Sequence, residues 1–284
     1  MTKVAIYGLG RIGGETAYIS AVSGFADELV FYDINPEVIN AQKLDIQHAV
    51  DIPISEKPAD LKDADYCIYS AGLSRSPDVK TRADLFDKNL PIAKEAAKVL
   101  TGFSGKLIVT SNPMDIMTWF FAKHAGFDEG QVLGFGGMLD SRRFTLELQH
   151  LGIKEKGMVI GEHGDHQVPL FSRIEDKEIS LEKREEILVR LQGSSMPIIK
   201  GKGGTVFGPA YHLASMIESI EHGREIICSV PADGAYGIEG CSLDLPVKAT
   251  RNSVMINESL KLDDWEQKKL DAAVSFLQGL CGRI

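Results

Sequence analysis

Along the first half of the chain, short apolar runs alternate with helical stretches. Residues 4–7, 29–32, 66–70, 107–110 and 132–135 are runs of four or five residues, mostly apolar. Runs of that length with little internal polarity suit strands buried on both faces. Residues 13–21, 35–44, 90–100 and 116–124, which lie between them, read as helices. Strand and helix in alternation predict a doubly wound parallel sheet. Near residue 138 the rhythm changes. Residues 141–150, 181–191, 210–221 and 263–277 read as helices. Residues 159–160 and 168–171 flank a glycine-bearing turn as two strands would, and further short strands fall near 226–230 and 245–248. This half reads as α+β. Two domains are expected, 1–138 and 139–284, sharing an interface because no linker composition separates them.

Composition narrows the class without naming a function. The 284 residues carry 31 basic and 40 acidic side chains, so the overall field attracts neither nucleic acid nor an anionic membrane. Cationic sites for small anions must then be local. Cys67, Cys228, Cys241 and Cys281 are widely spaced, with no C-x-x-C pair and no histidine at ligand spacing. That argues against a disulfide framework or a metal site and for reduced thiols. The apolar part of the opening Met-Thr-Lys-Val-Ala-Ile-Tyr-Gly is too short for a secretory core, and no apolar run reaches membrane-spanning length. A cytoplasmic protein is expected.

The first chemical motif follows the first strand. Gly8-Leu9-Gly10-Arg11-Ile12-Gly13 is G-x-G-x-x-G, placed where a helix opens. The glycines permit a tight turn, close approach of a pyrophosphate to backbone, and tight helix packing, while the helix N-terminus supplies N–H donors. Asp33 ends the second strand 20 residues after Gly13, the separation expected of a carboxylate that accepts from the adenosine ribose hydroxyls. Strand, loop, helix and acid in register identify a Rossmann half. Asp33 favours NAD over NADP, since a 2′-phosphate would meet a like charge.

A Rossmann half names a cofactor, not a reaction. Arg75 and Arg82 follow the strand that ends at Ser70-Ala71-Gly72, at the carboxyl end where ligands sit. Asn112-Pro113 follows the next strand in the same way. Asp140 and Arg143 are three apart at a helix start and share a face. His163 lies in the glycine-flanked turn of the second half. A guanidinium fork for a carboxylate, a cation to polarise a carbonyl and an acid/base are the parts needed to handle an α-keto acid. Arg142 reads as peripheral, His48, His150, His166 and Asp165 as structural, and Arg173, Arg184 and Arg190 as solvated.

The sequence resembles the lactate/malate dehydrogenases over nearly its whole length, most closely the lactate-dehydrogenase-like malate dehydrogenases of archaea. The resemblance rests on Gly8 to Gly13, Leu44-Asp45-Ile46-Gln47-His48-Ala49, Ser70-Ala71-Gly72, the Arg75/Arg82 loop, Ser111-Asn112-Pro113-Met114-Asp115, Leu139-Asp140-Ser141-Arg142-Arg143-Phe144, Gly161-Glu162-His163-Gly164-Asp165 and Gly203-Gly204-Thr205-Val206-Phe207-Gly208-Pro209-Ala210, in that order. It implies a Rossmann NAD-binding domain followed by an α+β substrate-binding domain. It implies His163 as proton acceptor and donor, Asp140 as its carboxylate partner, and Arg143 as the grip on the C1 carboxylate. Arg82 would polarise the C2 oxygen, and Asn112 would orient substrate after a cis Asn112–Pro113 bond. Asn89, Thr110, Ser111 and Asn112 would line the cofactor site with the glycine loop. A small 2-hydroxy or 2-keto dicarboxylate as substrate and a homodimer or homotetramer are expected.

The sequence departs from that pattern in two places. The chain is shorter than most members, and much of the loss falls between Asp51 and Tyr66, so the third strand is expected to be stubby, around residues 52–56, and the adenine end of the cofactor more exposed. The second departure is in one loop. Residues 75–82 hold one residue more between the two arginines than relatives usually have, and no glycine near Asp78, so Lys80 could share the role of Arg75. Malate dehydrogenase is the main expectation, because a second substrate carboxylate needs a cation and pyruvate has none. Alternatives are an L-lactate dehydrogenase, an NAD-using glycosidase, which would need a metal site, and a cofactor-binding protein without turnover.

Overall fold

The computed structural model describes residues 1–73, 82–128, 130–175 and 177–284, the side chains of 82–84 excepted. The first half runs β1 (Lys3–Tyr7), α1 (Arg11–Val22), β2 (Glu28–Tyr32), α2 (Pro36–Ala49), β3 (Ile54–Ser55), β4 (Tyr66–Tyr69), α3 (Arg82–Val99), β5 (Lys106–Val109), α4 (Met114–His124) and β6 (Val132–Gly134). Its strands are parallel in the order β3-β2-β1-β4-β5-β6. Val4, Ala5 and Ile6 of β1 and all of β4 and β5 are buried, as strands covered on both faces must be. Strand order reverses between β1 and β4, and ligands sit in the crevice at such a point. The third strand is as short as expected.

The second half runs α5 (Gly137–His150), β7 (Val159–Gly161), β8 (Gln167–Pro169), α6 (Leu181–Gly193), α7 (Met196–Lys202), α8 (Phe207–Glu221), β9 (Glu225–Pro231), β10 (Ser242–Ala249), β11 (Val254–Ile256) and α9 (Asp264–Cys281). These strands do not form a separate sheet. β6 pairs antiparallel with β9, then β10, β7 and β8 follow, so one sheet of 11 strands spans the described residues. The expected division at 138/139 therefore falls inside the first turn of α5. A second apolar cluster, including Phe144, Phe171, Ile187 and Leu191, sits apart from the main core. The halves are also clamped at the far edge. Arg251 bonds Glu221 at 2.6 and 3.0 Å and also reaches Asp65, while Tyr66 donates to Glu221.

Several elements differ from expectation. α3 begins at Arg82 rather than near Leu90, with Pro91 inside it. A proline removes one hydrogen bond without ending a helix that packing holds. α7 and β11 had no clear periodicity. β10 starts three residues earlier than expected, so Asp244 lies within the strand. Of the apolar positions on α2, only Ile46 is buried, and Leu44 remains 46% exposed. Arg184 is not solvated: its side chain is 14% exposed, pairs with Asp263 at 2.5 Å and lies over the rings of Phe171 and Trp265.

Candidate active site

The glycine loop is held from three sides. Leu9 N–H donates to Asp33 Oδ2 at 2.8 Å and Asn35 N–H to Oδ1 at 2.9 Å. Ser70 Oγ donates to the Gly8 carbonyl at 2.6 Å, and Gln42 Nε2 to the Leu9 carbonyl at 3.2 Å. Asp33 thus shapes the loop beside any role toward a ligand, a duty its spacing alone did not reveal. The three glycines differ in function. Gly8 has φ +96°, a left-handed conformation. A Cβ on Gly13 would stand 1.9 Å from the Gly8 carbonyl, so α1 could not approach β1. A Cβ on Gly10 would meet nothing within 4 Å. Packing among the described residues does not require Gly10, and the space above it is open there. α1 has no side-chain cap and no acidic residue in its first turn, which leaves its N–H groups and partial positive charge for an anion. Arg11 is exposed beside the loop, and its guanidinium approaches Gly203.

The floor between β4 and β5 is also tied down. Asn89 is buried and its amide is engaged with backbone: Leu73 N–H donates to it at 2.7 Å, and it donates to the carbonyls of Leu73 and Asn112 at 3.1 and 2.6 Å. Ser111 Oγ donates to the Ala71 carbonyl. Thr110 is half-buried, Asn112 is exposed, and the Asn112–Pro113 bond is cis. Arg75 and Lys80 lie outside the described residues, as does the side chain of Arg82.

The second cluster is built from four segments. β7 ends at Gly161, whose φ of +92° turns the chain, so that His163 faces the start of α5. His163 Nδ1 lies 2.7 Å from Asp140 Oδ2, and Arg143 Nη1 donates to Asp140 Oδ1 at 2.9 Å. Each oxygen of one buried carboxylate thus holds one cationic or basic side chain. Burial opposes the charge on Asp140, but His163 and Arg143 outweigh it and hold the carboxyl below its usual range. Burial likewise opposes the imidazolium, and Asp140 outweighs it, so His163 is raised above the ordinary histidine range. The backbone of His163 is pinned by Asp115, whose Oδ2 accepts its N–H at 2.8 Å. α5 comes this close because it begins with glycine: a Cβ on Gly136 would lie 2.7 Å from His163 Cγ.

Asp115, Glu162 and Asp244 were not foreseen as part of this cluster. All three are at most 2% exposed. Asp115 and Glu162 sit in segments that carried the resemblance, whereas nothing in the sequence singles out Asp244. Ligand atoms of Asp140, His163 and Asp244 converge within 4.8 Å. Asp140 and His163 are already joined by a hydrogen bond and Arg143 sits on the same carboxylate, which marks a proton-sharing cluster rather than a cation's cage.

Comparison with known proteins joins the two clusters. The lactate/malate dehydrogenase NAD binding domain matches residues 2–134, and the lactate/malate dehydrogenase alpha/beta C-terminal domain matches residues 138–280. The chain belongs to the lactate/malate dehydrogenase family. It is 34% identical over 299 residues to malate dehydrogenase of Haloferax volcanii, covering 98% of each chain. It is 31% identical to L-lactate dehydrogenase of Geobacillus thermodenitrificans, covering 99% of this chain and 96% of the relative. Among solved structures, malate dehydrogenase from Archaeoglobus fulgidus in complex with NADH superposes with a TM-score of 0.90 at 30% identity, covering 99% of both chains. The protein is therefore an oxidoreductase of this family, and its cofactor is NAD. The first cluster fits that cofactor: space above Gly10, an uncapped α1 and a carboxylate at the end of β2 are what a dinucleotide needs.

Proposed function

We propose that the chain is an NAD-dependent malate dehydrogenase that interconverts (S)-malate and oxaloacetate, with residues 1–138 carrying the cofactor and 139–284 most of the catalytic groups. The observation that carries the reaction type is the buried Asp140 bridging His163 and Arg143. NAD, when bound, supplies or accepts the hydride exchanged with C2 of the substrate. With Nδ1 held by Asp140, proton exchange with the C2 oxygen falls to Nε2 of His163. In oxidation Nε2 takes the hydroxyl proton, and Asp140 stabilises the imidazolium. In reduction the same proton returns to the oxygen. Arg143 grips the C1 carboxylate, Arg82 polarises the C2 oxygen, and Asn112 orients the substrate. Gly8 to Gly13, Asn89, Thr110, Ser111 and Asn112 form or support the cofactor site, and Asp33 selects NAD over NADP.

The preference for a dicarboxylate rests on Arg75. A closed site without a cation would bury the second carboxylate unpaired, at a high cost. With Arg75 in place, pyruvate leaves the guanidinium unpaired instead. The greater identity to a malate dehydrogenase than to an L-lactate dehydrogenase supports the same choice. A cytoplasmic location is supported by four buried cysteines that form no disulfide. No helix among the described residues is long and apolar enough to cross a membrane. A homodimer or homotetramer rests on the family resemblance. The deciding assay follows NADH oxidation with oxaloacetate, with pyruvate and without substrate, and repeats it with NADPH. Oxaloacetate and NADH should give the highest kcat/KM, and Arg75→Gln should narrow the oxaloacetate-to-pyruvate ratio by tenfold or more, as the loss of one charge-assisted bond worth roughly 1.5–3 kcal/mol requires. Faster turnover of pyruvate by the unaltered protein would make it an L-lactate dehydrogenase instead.

A further inference from the structure

Asp244 has no part in the reaction as described, yet it lies in the same cluster as His163. It sits on β10 between two strands, opposite Ser229 of β9 and Gly161 of β7. Gly161 is two residues before His163, so the strand register itself brings the Asp244 carboxyl beside the imidazole. The Asp244 residue is 2% exposed, and its Oδ1 has no hydrogen-bond partner among the described residues. A Cβ on Gly136 would touch both His163 Cγ, at 2.7 Å, and Asp244 Oδ2, at 2.8 Å, so only the width of a glycine separates the two groups. A buried carboxyl with an unused oxygen is costly and calls for a compensating role.

We propose that Asp244 is a positioning residue for the acid/base proton: with Asp140 it presents two carboxyl groups to one imidazole, so the site retains its proton to higher pH than a single His–Asp pair would. This rests on the reading of His163 as the acid/base. The groups facing Asp244 come from every neighbouring element. Asp115 stands on α4, Asp140 and Arg143 on α5, Glu162 and His163 in the turn after β7, and Cys228 on β9. Burial, then Asp115 and Asp140, push the Asp244 carboxyl well up, with the Gly137 N–H opposing. The two shifts run the same way, Asp244 toward the neutral acid and His163 toward the imidazolium. As pH rises, the first proton can leave from Asp244 instead of His163. Its new negative charge then holds the imidazolium in place. The two groups titrate as one coupled system, so the pair as a whole keeps its last proton to higher pH than an isolated His–Asp pair.

The test compares kcat/KM for keto-acid reduction across pH in the wild type and in Asp244→Asn, which keeps the shape and removes the titration. The alkaline limb should move to lower pH by about one unit or more, the size of effect a neighbouring charge has. An unmoved limb overturns the proposal, because a merely structural Asp244 alters activity at every pH alike. NMR of the His163 imidazole, assigned by loss of its signal in His163→Gln, gives a readout independent of turnover. Wild type should show a coupled titration step that Asp244→Asn lacks, any step that comes from Asp115 being common to both. Single-step titration in the wild type overturns the proposal even if the variant does not fold. Two-step titration in a protein whose His163→Ala variant keeps full turnover sinks the reading of His163 instead, and leaves the coupling standing.

Discussion

The cofactor cradle and the His163 centre use their polar groups in opposite ways. In the cradle, Asp33, Ser70, Gln42 and Asn89 are matched to backbone groups, and the space that remains is outside, above Gly10. In the centre, four carboxyl groups and one histidine crowd together, and Asp115 and Asp244 each leave an oxygen without a partner. A satisfied cradle is rigid and binds. An over-supplied acidic cluster costs stability and makes its crowded carboxyl groups hold their protons more tightly. The two regions meet across the β6–β9 junction, where Asp115 of α4 reaches from the cofactor side to the His163 backbone.

The largest expected effect breaks the comparison at the centre. His163→Ala should lower kcat by about 10²–10⁴-fold, the usual contribution of a positioned acid/base. NADH affinity by fluorescence titration should stay unchanged. A variant that keeps its turnover would remove His163 from the chemistry, and weakened NADH binding would show that the two regions are not separate.

A second, smaller effect separates two glycines within the cradle. Gly13→Ala puts a Cβ against the Gly8 carbonyl and should destabilise the fold by roughly 1–3 kcal/mol or more, as overpacking does. Gly10→Ala meets no protein atom, so its melting temperature should match the wild type while its Kd for NADH rises. Equal losses of stability in both variants would mean that Gly10 is needed by the fold and not by the cofactor.

A third effect, read only as a difference across pH, sharpens the claim that the centre costs stability. Burial, then Glu162, push the Asp115 carboxyl up to about 7. A carboxyl raised on folding contributes stability that is fully present below its unfolded value and is lost as pH rises through its folded value. Asp115 therefore weakens the protein progressively between about pH 4 and 7. Asp140, held below its usual range, acts in the opposite sense and loses its contribution only in acid. Asp115→Asn keeps an oxygen for the His163 N–H and removes the titration. Its Tm relative to wild type should rise by several degrees between pH 4 and pH 7.5, since a carboxyl shifted by about three pH units changes stability by up to roughly 4 kcal/mol. A difference that stays flat with pH would show that Asp115 is not raised.

Legibility in the sequence followed the distance along the chain over which each feature is built. The cradle lies within one strand, one turn and the next strand, so its spacing could be read directly. The pair Asp140 and Arg143 was legible for the same reason, being one helical turn apart. His163 needed the resemblance, because a glycine-flanked histidine is ambiguous by itself. Asp244 was invisible. The apolar pattern started its strand at Leu245, since an acid in a run of apolar residues looks like the end of a strand rather than its buried interior. α3 was misplaced by Pro91, which resembles a helix start and is in fact carried inside a helix that packing holds.

The sequence by itself determined the alternation of strand and helix, the anion-binding loop and the acid that follows it, because these depend on backbone conformation and short-range spacing. Tertiary structure alone decided that the two halves share one sheet through β6 and β9, and that residues 115, 140, 163 and 244 meet. The physical reason is register. Asp244 reaches His163 only because β10 pairs with β7 at Gly161. A shift of one residue would turn its side chain to the other face of the sheet.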